Sequence, residues 1–269
     1  MDLGLNGAHV VISGGSKGMG LAAAKRFAAD GAKVALLARG TEALDVAAAE
    51  LIALGSPQTL TFQVDLRDPG SIERAFASIG EQWGGTVNTL VNAAGPEGGS
   101  GLEQLSDAGW HDIFDVGALA AVRCVRACLP LLRAAEWARI VNLSAHSVKR
   151  QTTGLIAYTA SKAALTSLSK NLSQSLAPEG ILVNTVSPGS FLSAGLRGYL
   201  ELQPESRGID PDDLHDVMRV IEEDFGHPAF IGRAGSPDEI GPVIAFVGSR
   251  LNSYMIGADI NVDGGSDFT

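Results

Sequence analysis

Between residues 8 and 190 the chain alternates short apolar runs with longer helical stretches, and this alternation restricts its fold more than any other feature. HVVIS, KVALLA, LTFQVD, TLVNAAG, ARIVNLS and ILVNTVSP are the apolar runs. GLAAAKRFAAD, SIERAFASIGEQW and LAAVRCVRACLPLLRAA carry alanine, leucine and charge at helical spacing. Strands that read as continuous apolar runs are covered on both faces. The expectation is an α/β fold, a doubly wound parallel sheet in one domain over residues 1–269, with ligands at the carboxyl ends of the strands. A chain of 269 residues suits one such domain.

Residues 190–232 break the rhythm with several helix starts and turns between a strand and the last helix. An insertion on the ligand side of such a sheet reads as a substrate-covering segment; the alternative is a surface excursion. Its Leu196, Tyr199, Leu200, Met218, Phe225 and Phe230 suggest an apolar roof over a medium or bulky substrate. Short glycine-rich turns such as EGGSG at 97–101 follow strands.

The net charge of −10 argues against nucleic acid or anionic membrane as a partner, because counterion release needs a basic surface. Arg123, Arg126, Arg133 and Arg139 cluster in sequence, and such groups are usually solvated or paired. No run approaches the roughly 20 apolar residues of a membrane span, and the first residues lack the pattern of a secretion signal. The expected location is the cytoplasm. Cys124 and Cys128 lie four apart on one helical face, which suits core packing rather than a disulfide or metal pair. No metal is expected, and the five histidines form no ligand-like group.

HVVIS runs directly into GGSKGMG and then a helix that stops at Gly31. Glycines at 14, 18 and 20 allow a sharp turn and bring a pyrophosphate against the helix N-terminus, where free amides and the dipole attract it. The spacing G-x-x-x-G-x-G resembles that of the short-chain dehydrogenase/reductase family. VNAAG at 91–95, VDL at 64–66, YTASK at 158–162, NTVSPG at 184–189 and GADINVDGG at 257–265 extend the resemblance over nearly the whole chain. It implies a Rossmann-type sheet and a nicotinamide dinucleotide cofactor held by Gly14, Ser16, Lys17, Gly18, Met19, Gly20, Arg39, Asp65, Leu66, Asn92, Ala94, Gly95, Tyr158, Lys162, Pro188, Gly189 and Phe191. An acidic residue ending the second strand would select NAD. VALLARG offers Ala38 and Arg39, and Lys17 adds a second cation, so NADP is expected over NAD.

Tyr158 and Lys162 stand one helical turn apart. A tyrosine with a pKa near 10 exchanges a proton at neutral pH only where positive charge stabilises its phenolate, and Lys162 would supply that charge. The family's serine, thirteen residues before the tyrosine, falls on Ala145, and its helix asparagine falls on Gly117. Ser147 shares strand parity with position 145 and is the favoured substitute; Ser144 would point away if the strand continued.

The resemblance implies an NADP-dependent oxidoreductase acting on a carbonyl or alcohol, with 3-oxoacyl and ketone substrates both open. The alternative is a cofactor sensor or scaffold with weak or no catalysis, and a double-bond reductase has the wrong tyrosine spacing. The family also implies a homodimer or homotetramer packed through the two helices GALAAVRCVRACLPLL and TASKAALTSLSKNLSQSL.

Overall fold

The computed structural model describes residues 2–96, 101–204 and 207–267. Seven parallel strands form one sheet in the order β3-β2-β1-β4-β5-β6-β7. They are β1 His9–Ser13, β2 Lys33–Ala38, β3 Thr59–Gln63, β4 Thr89–Asn92, β5 Ala138–Leu143, β6 Ile181–Pro188 and β7 Asp259–Val262. Strand order reverses between β1 and β4, the place where sheets of this kind take ligands at their carboxyl ends.

The central strands are buried along nearly their whole length, as their apolar runs require. Edge strand β3, which reads Thr-Leu-Thr-Phe-Gln, is only partly covered. Helices α1 (Gly18–Ala29), α2 (Thr41–Ala53) and α9 (Pro237–Val247) pack on one face around Phe27, Leu44 and Ile244. On the other, α3 (Pro69–Gln82), α5 (Ala120–Ala134) and α6 (Ile156–Leu176) enclose Phe76, Cys124 and Cys128. Both cysteines are free and buried, with thiol pKa values pushed up by desolvation.

Local chemistry sets the helix ends. Asp68 caps α3 ahead of Pro69, and Ser236 with Glu239 forms a capping box at α9. Helix α4 (Asp107–Phe114) runs into α5 through a π turn at Asp115–Leu119, so the long helical stretch has a wide turn at Gly117.

The 190–232 interval holds α7 (Ala194–Glu201) and α8 (Leu214–Phe225). Its apolar residues differ from the expected roof. Leu200 and Met218 join Val217, Val220, Ile221, Ala229 and Ala234 in a separate small core, with Leu196 and Tyr199 packed against it, while Phe230 is 75% exposed. Two neighbouring amphipathic helices bury one another's apolar faces before they can line anything else. The EGGSG turn lies, except for Gly101, outside the described residues. Among the described residues no helix is long and apolar enough to cross a membrane.

Candidate active site

The phosphate turn is held by close backbone packing. Gly14 has φ +72, and a Cβ there would lie 2.7 Å from the Ala94 amide nitrogen; one at Gly20 would lie 2.2 Å from the Gly14 oxygen. At Gly18 the space is open but φ is +55, so backbone angle sets the requirement. The first turn of α1 has no side-chain cap, which leaves its amides for an anion, and Ser16 and Met19 are half-buried beside it. These features fit a dinucleotide.

No acidic side chain ends β2. Ala38 pairs with Gln63, and Arg39 and Lys17 are both exposed. Past β3, Asp65 accepts from the Arg67 amide at 3.0 Å, and Arg67 grips Asp112 through two bonds of 2.6 and 2.9 Å. Arg123 donates to the Leu66 carbonyl at 3.1 Å and to Asp115 at 2.5 Å. The expected adenine edge is therefore fixed from both sides.

A buried seam crosses the strand ends. Ser13 donates to Asn92, Asn92 to Asn142 and Asn142 to Ser169, over 3.3, 2.8 and 2.8 Å. The Asn92 side chain is thus engaged within the protein, so a nucleotide contact at this position falls to its backbone. Phe191 is similar: its ring packs on Gly235, with which it forms an isolated bridge. Gly189 lies hard against Asp263, and Pro188 ends β6.

Tyr158 is half-buried and Lys162 is 3% exposed, one turn later on α6. Lys162 Nζ donates to the Leu143 carbonyl at 2.8 Å and stands 6.0 Å from the Tyr158 ring centroid; a Cβ on Gly95 would be 3.3 Å from it. Desolvation pushes the Tyr158 pKa up to about 12 and lowers that of Lys162 to about 8. The phenol is therefore protonated at neutral pH, ready to act as an acid.

Ala145 is extended and buried. The strand ends at Leu143 and a 3₁₀ turn takes up His146–Val148, so strand parity does not reach Ser147. Ser147 is nevertheless buried and accepts from the Thr159 hydroxyl at 3.2 Å, a bond that leaves its own proton for another acceptor. Ser144 faces α6, bonded to the Lys162 carbonyl and Thr166. At position 117, a Cβ would meet Ser161 Oγ at 2.3 Å. Ser161 donates to the Tyr158 carbonyl at 2.7 Å, so an asparagine at 117 would have to turn it away.

Sequence reasoning missed His146, His227, Arg150 and the Arg123–Leu66 contact. Their partners are distant in sequence, and no local spacing announces them.

The chain matches the short chain dehydrogenase family model over residues 8–201. It is 31% identical over 261 residues to a 2,5-dichloro-2,5-cyclohexadiene-1,4-diol dehydrogenase of Sphingobium indicum, covering 97% of this chain and 96% of that one. It is 30% identical to a rhamnolipids biosynthesis 3-oxoacyl-acyl-carrier-protein reductase of Pseudomonas aeruginosa, over 97% of this chain and 96% of the relative. The L-sorbose reductase of Gluconobacter frateurii, solved with NADPH and L-sorbose, superposes with a TM-score of 0.90 at 30% identity over 100% of both chains. A family match that starts just before β1 and runs past Tyr158, Lys162 and Gly189, on a seven-stranded sheet of this order, makes the chain a member of the short-chain dehydrogenase family of oxidoreductases.

Proposed function

We propose that the chain is an NADPH-dependent reductase of ketones, with Tyr158 as proton donor, Lys162 as its charged partner and Ser147 as the hydroxyl that holds the carbonyl oxygen. The observation that carries this reading is the buried Lys162 one turn from a protonated Tyr158, beside the Gly95 backbone at the strand reversal. Bound NADPH would supply the hydride to the carbonyl carbon. Tyr158 gives its proton to the carbonyl oxygen, and the Lys162 ammonium stabilises the phenolate left behind. Lys17 and Arg39 support NADP over NAD, since both are positive beside the expected ribose phosphate.

A free ketone is favoured over an acyl chain on an acidic carrier because the arginine group is largely engaged. Arg123 holds Asp115, Arg133 at the surface holds Glu179, and Arg139 is buried against the carbonyls of Ser249 and Asn252; Arg126 and Arg133 are the exposed members of the four. The second reading, cofactor binding without turnover, draws on Ala145 and Gly117.

NADPH oxidation across ketones, keto sugars including L-sorbose, and carrier-free 3-oxoacyl thioesters tests both. Ser147→Ala should lower kcat by ~10² with NADPH affinity unchanged, and Tyr158→Phe should abolish turnover. A silent Ser147→Ala with an activating Ala145→Ser removes Ser147 from the site. Tight NADPH binding with no substrate oxidising it supports the second reading. Assembly through α5 and α6 as a dimer or tetramer is also part of the proposal, and a monomer by light scattering at micromolar concentration overturns it.

A further inference from the structure

Away from the reaction centre, the fold brings together two histidines 81 residues apart. His146 follows Ala145 on the turn after β5, and His227 follows α8 near the end of the 190–232 segment. Both are buried. Nε2 of His146 lies 3.2 Å from Nδ1 of His227, with the rings at 75°. Nδ1 of His146 lies 3.2 Å from the Pro188 carbonyl oxygen. A carbonyl only accepts, so His146 Nδ1 carries the hydrogen, its Nε2 is bare, and His227 Nδ1–H donates to it. His227 also faces the Gln151 backbone.

This run of contacts joins the end of β6, the turn that carries Ala145 and Ser147, and the far end of the 190–232 segment. Charged groups surround it. Arg150 donates to the carbonyls of Ser266 and Gly226, so it ties the same turn to the chain end and to α8's last turn. Asp263 and Asp267 face His146 from the chain end, and Lys149 stands 3.9 Å from Asp267. Burial outweighs the two carboxylates and holds both imidazoles below their ordinary range, so both are neutral at neutral pH.

We propose that His146 and His227 form a pH-sensitive latch that positions the 190–232 segment over the catalytic turn, closed when the rings are neutral and released when both are protonated. The proposal rests on reading that segment as a substrate cover that is held together by its own small core rather than lined by it. One added proton can be housed, because His227 can shift its hydrogen to the nitrogen facing Gln151. A second puts hydrogens on both facing nitrogens and brings two positive charges together. In the open state the rings titrate near 6.5, so the closed state is favoured above that pH and loses ground as pH falls below it. Each ring that stays neutral when closed and titrates when open shifts the balance roughly tenfold at about pH 5.5.

Hydrogen exchange of peptides within 190–232, corrected for intrinsic rates and read at about pH 7.5 and 5.5, tests the latch without needing turnover. A failed activity assay therefore leaves this result standing. Wild type should exchange there roughly tenfold faster at the lower pH. His227→Phe, which keeps an aromatic ring but no nitrogen, should exchange fast at both values. His227→Gln should stay protected at both, since its amide donates to His146 when that ring is neutral and turns to accept when it is protonated. Wild-type protection that does not respond to pH overturns the proposal, as does His227→Phe protected like wild type. Should His227→Phe also loosen β4 and β5, the comparison passes to His227→Gln, and a pH response there equal to wild type's overturns it.

Discussion

The part of the site proposed to hold the nucleotide is built from backbone, and the proposed reaction end from side chains. Around α1 the geometry depends on the absence of Cβ atoms at Gly14 and Gly20 and on uncapped amides. Around α6 it depends on a phenol, an ammonium and hydroxyls on separate elements. A surface made of backbone admits essentially one residue at each position, because any side chain collides with a neighbouring main chain. A surface made of side chains can trade members: Ala145 replaces the family's serine beside Ser147, and Gly117 leaves room that the Ser161 hydroxyl occupies. Departures from the family pattern thus collect at the end where substitution can be accommodated.

Gly20→Ala breaks this comparison most directly. Its Cβ would start 2.2 Å from the Gly14 oxygen and 3.2 Å from the Ala93 Cβ, so the phosphate turn itself must move. NADPH affinity should fall ~10²-fold, with a stability loss of about 2 kcal/mol or more, read by titration and by thermal melting. Gly18→Ala is the contrast. Nothing stands within 4 Å of its Cβ, and it should cost only ~1–2 kcal/mol from the left-handed angle. Equal effects from the two variants would mean that crowding does not shape the turn.

Arg39→Asp tests the one part of the nucleotide end that does rest on side chains. Exchanging attraction for repulsion beside a phosphate of about two charges should shift the NADPH to NADH preference by ~10- to 100-fold, measured by direct titration of both cofactors. NADH binding tenfold tighter to the wild type would remove Lys17 and Arg39 from the selection.

The layered fold was legible in the sequence because each strand and helix announces itself through local period, and five of the six apolar runs end within two residues of an observed strand end. TLVNAAG ran three residues too long, because Ala93, Ala94 and Gly95 are apolar yet belong to the loop after β4. The 190–232 helices were legible as helices but not in what they cover, since a small core between α7 and α8 and a roof over a ligand share one amphipathic pattern. Ser147 was chosen through a strand parity that the 3₁₀ turn does not obey. The His146–His227 contact and the Arg123 bond to Leu66 were beyond reach, because they depend on tertiary approach between segments with no shared period.

At Lys162, activity and stability should move oppositely with pH. Desolvation holds its pKa at about 8 in the fold against 10.5 when free. In the proposed mechanism the ammonium stabilises the Tyr158 phenolate, so kcat/KM should be level below about pH 8 and fall toward tenfold per unit above it. Tyr158, held up to about 12, does not titrate in that range, and the falling limb belongs to the lysine. Stability runs the other way. Below pH 8 the charge is buried at a cost that the unfolded chain escapes; as pH rises toward 10.5 the folded lysine has already lost its proton, and the penalty is relieved. Lys162→Met should therefore raise stability at neutral pH by about 2 kcal/mol, the gain from removing a buried charge less the bond to the Leu143 carbonyl. The same variant should lose turnover. Residual activity in Lys162→Arg should show no limb near pH 8, because a guanidinium keeps its charge. A limb that persists there would assign it to another group and leave the reaction end without its charged partner.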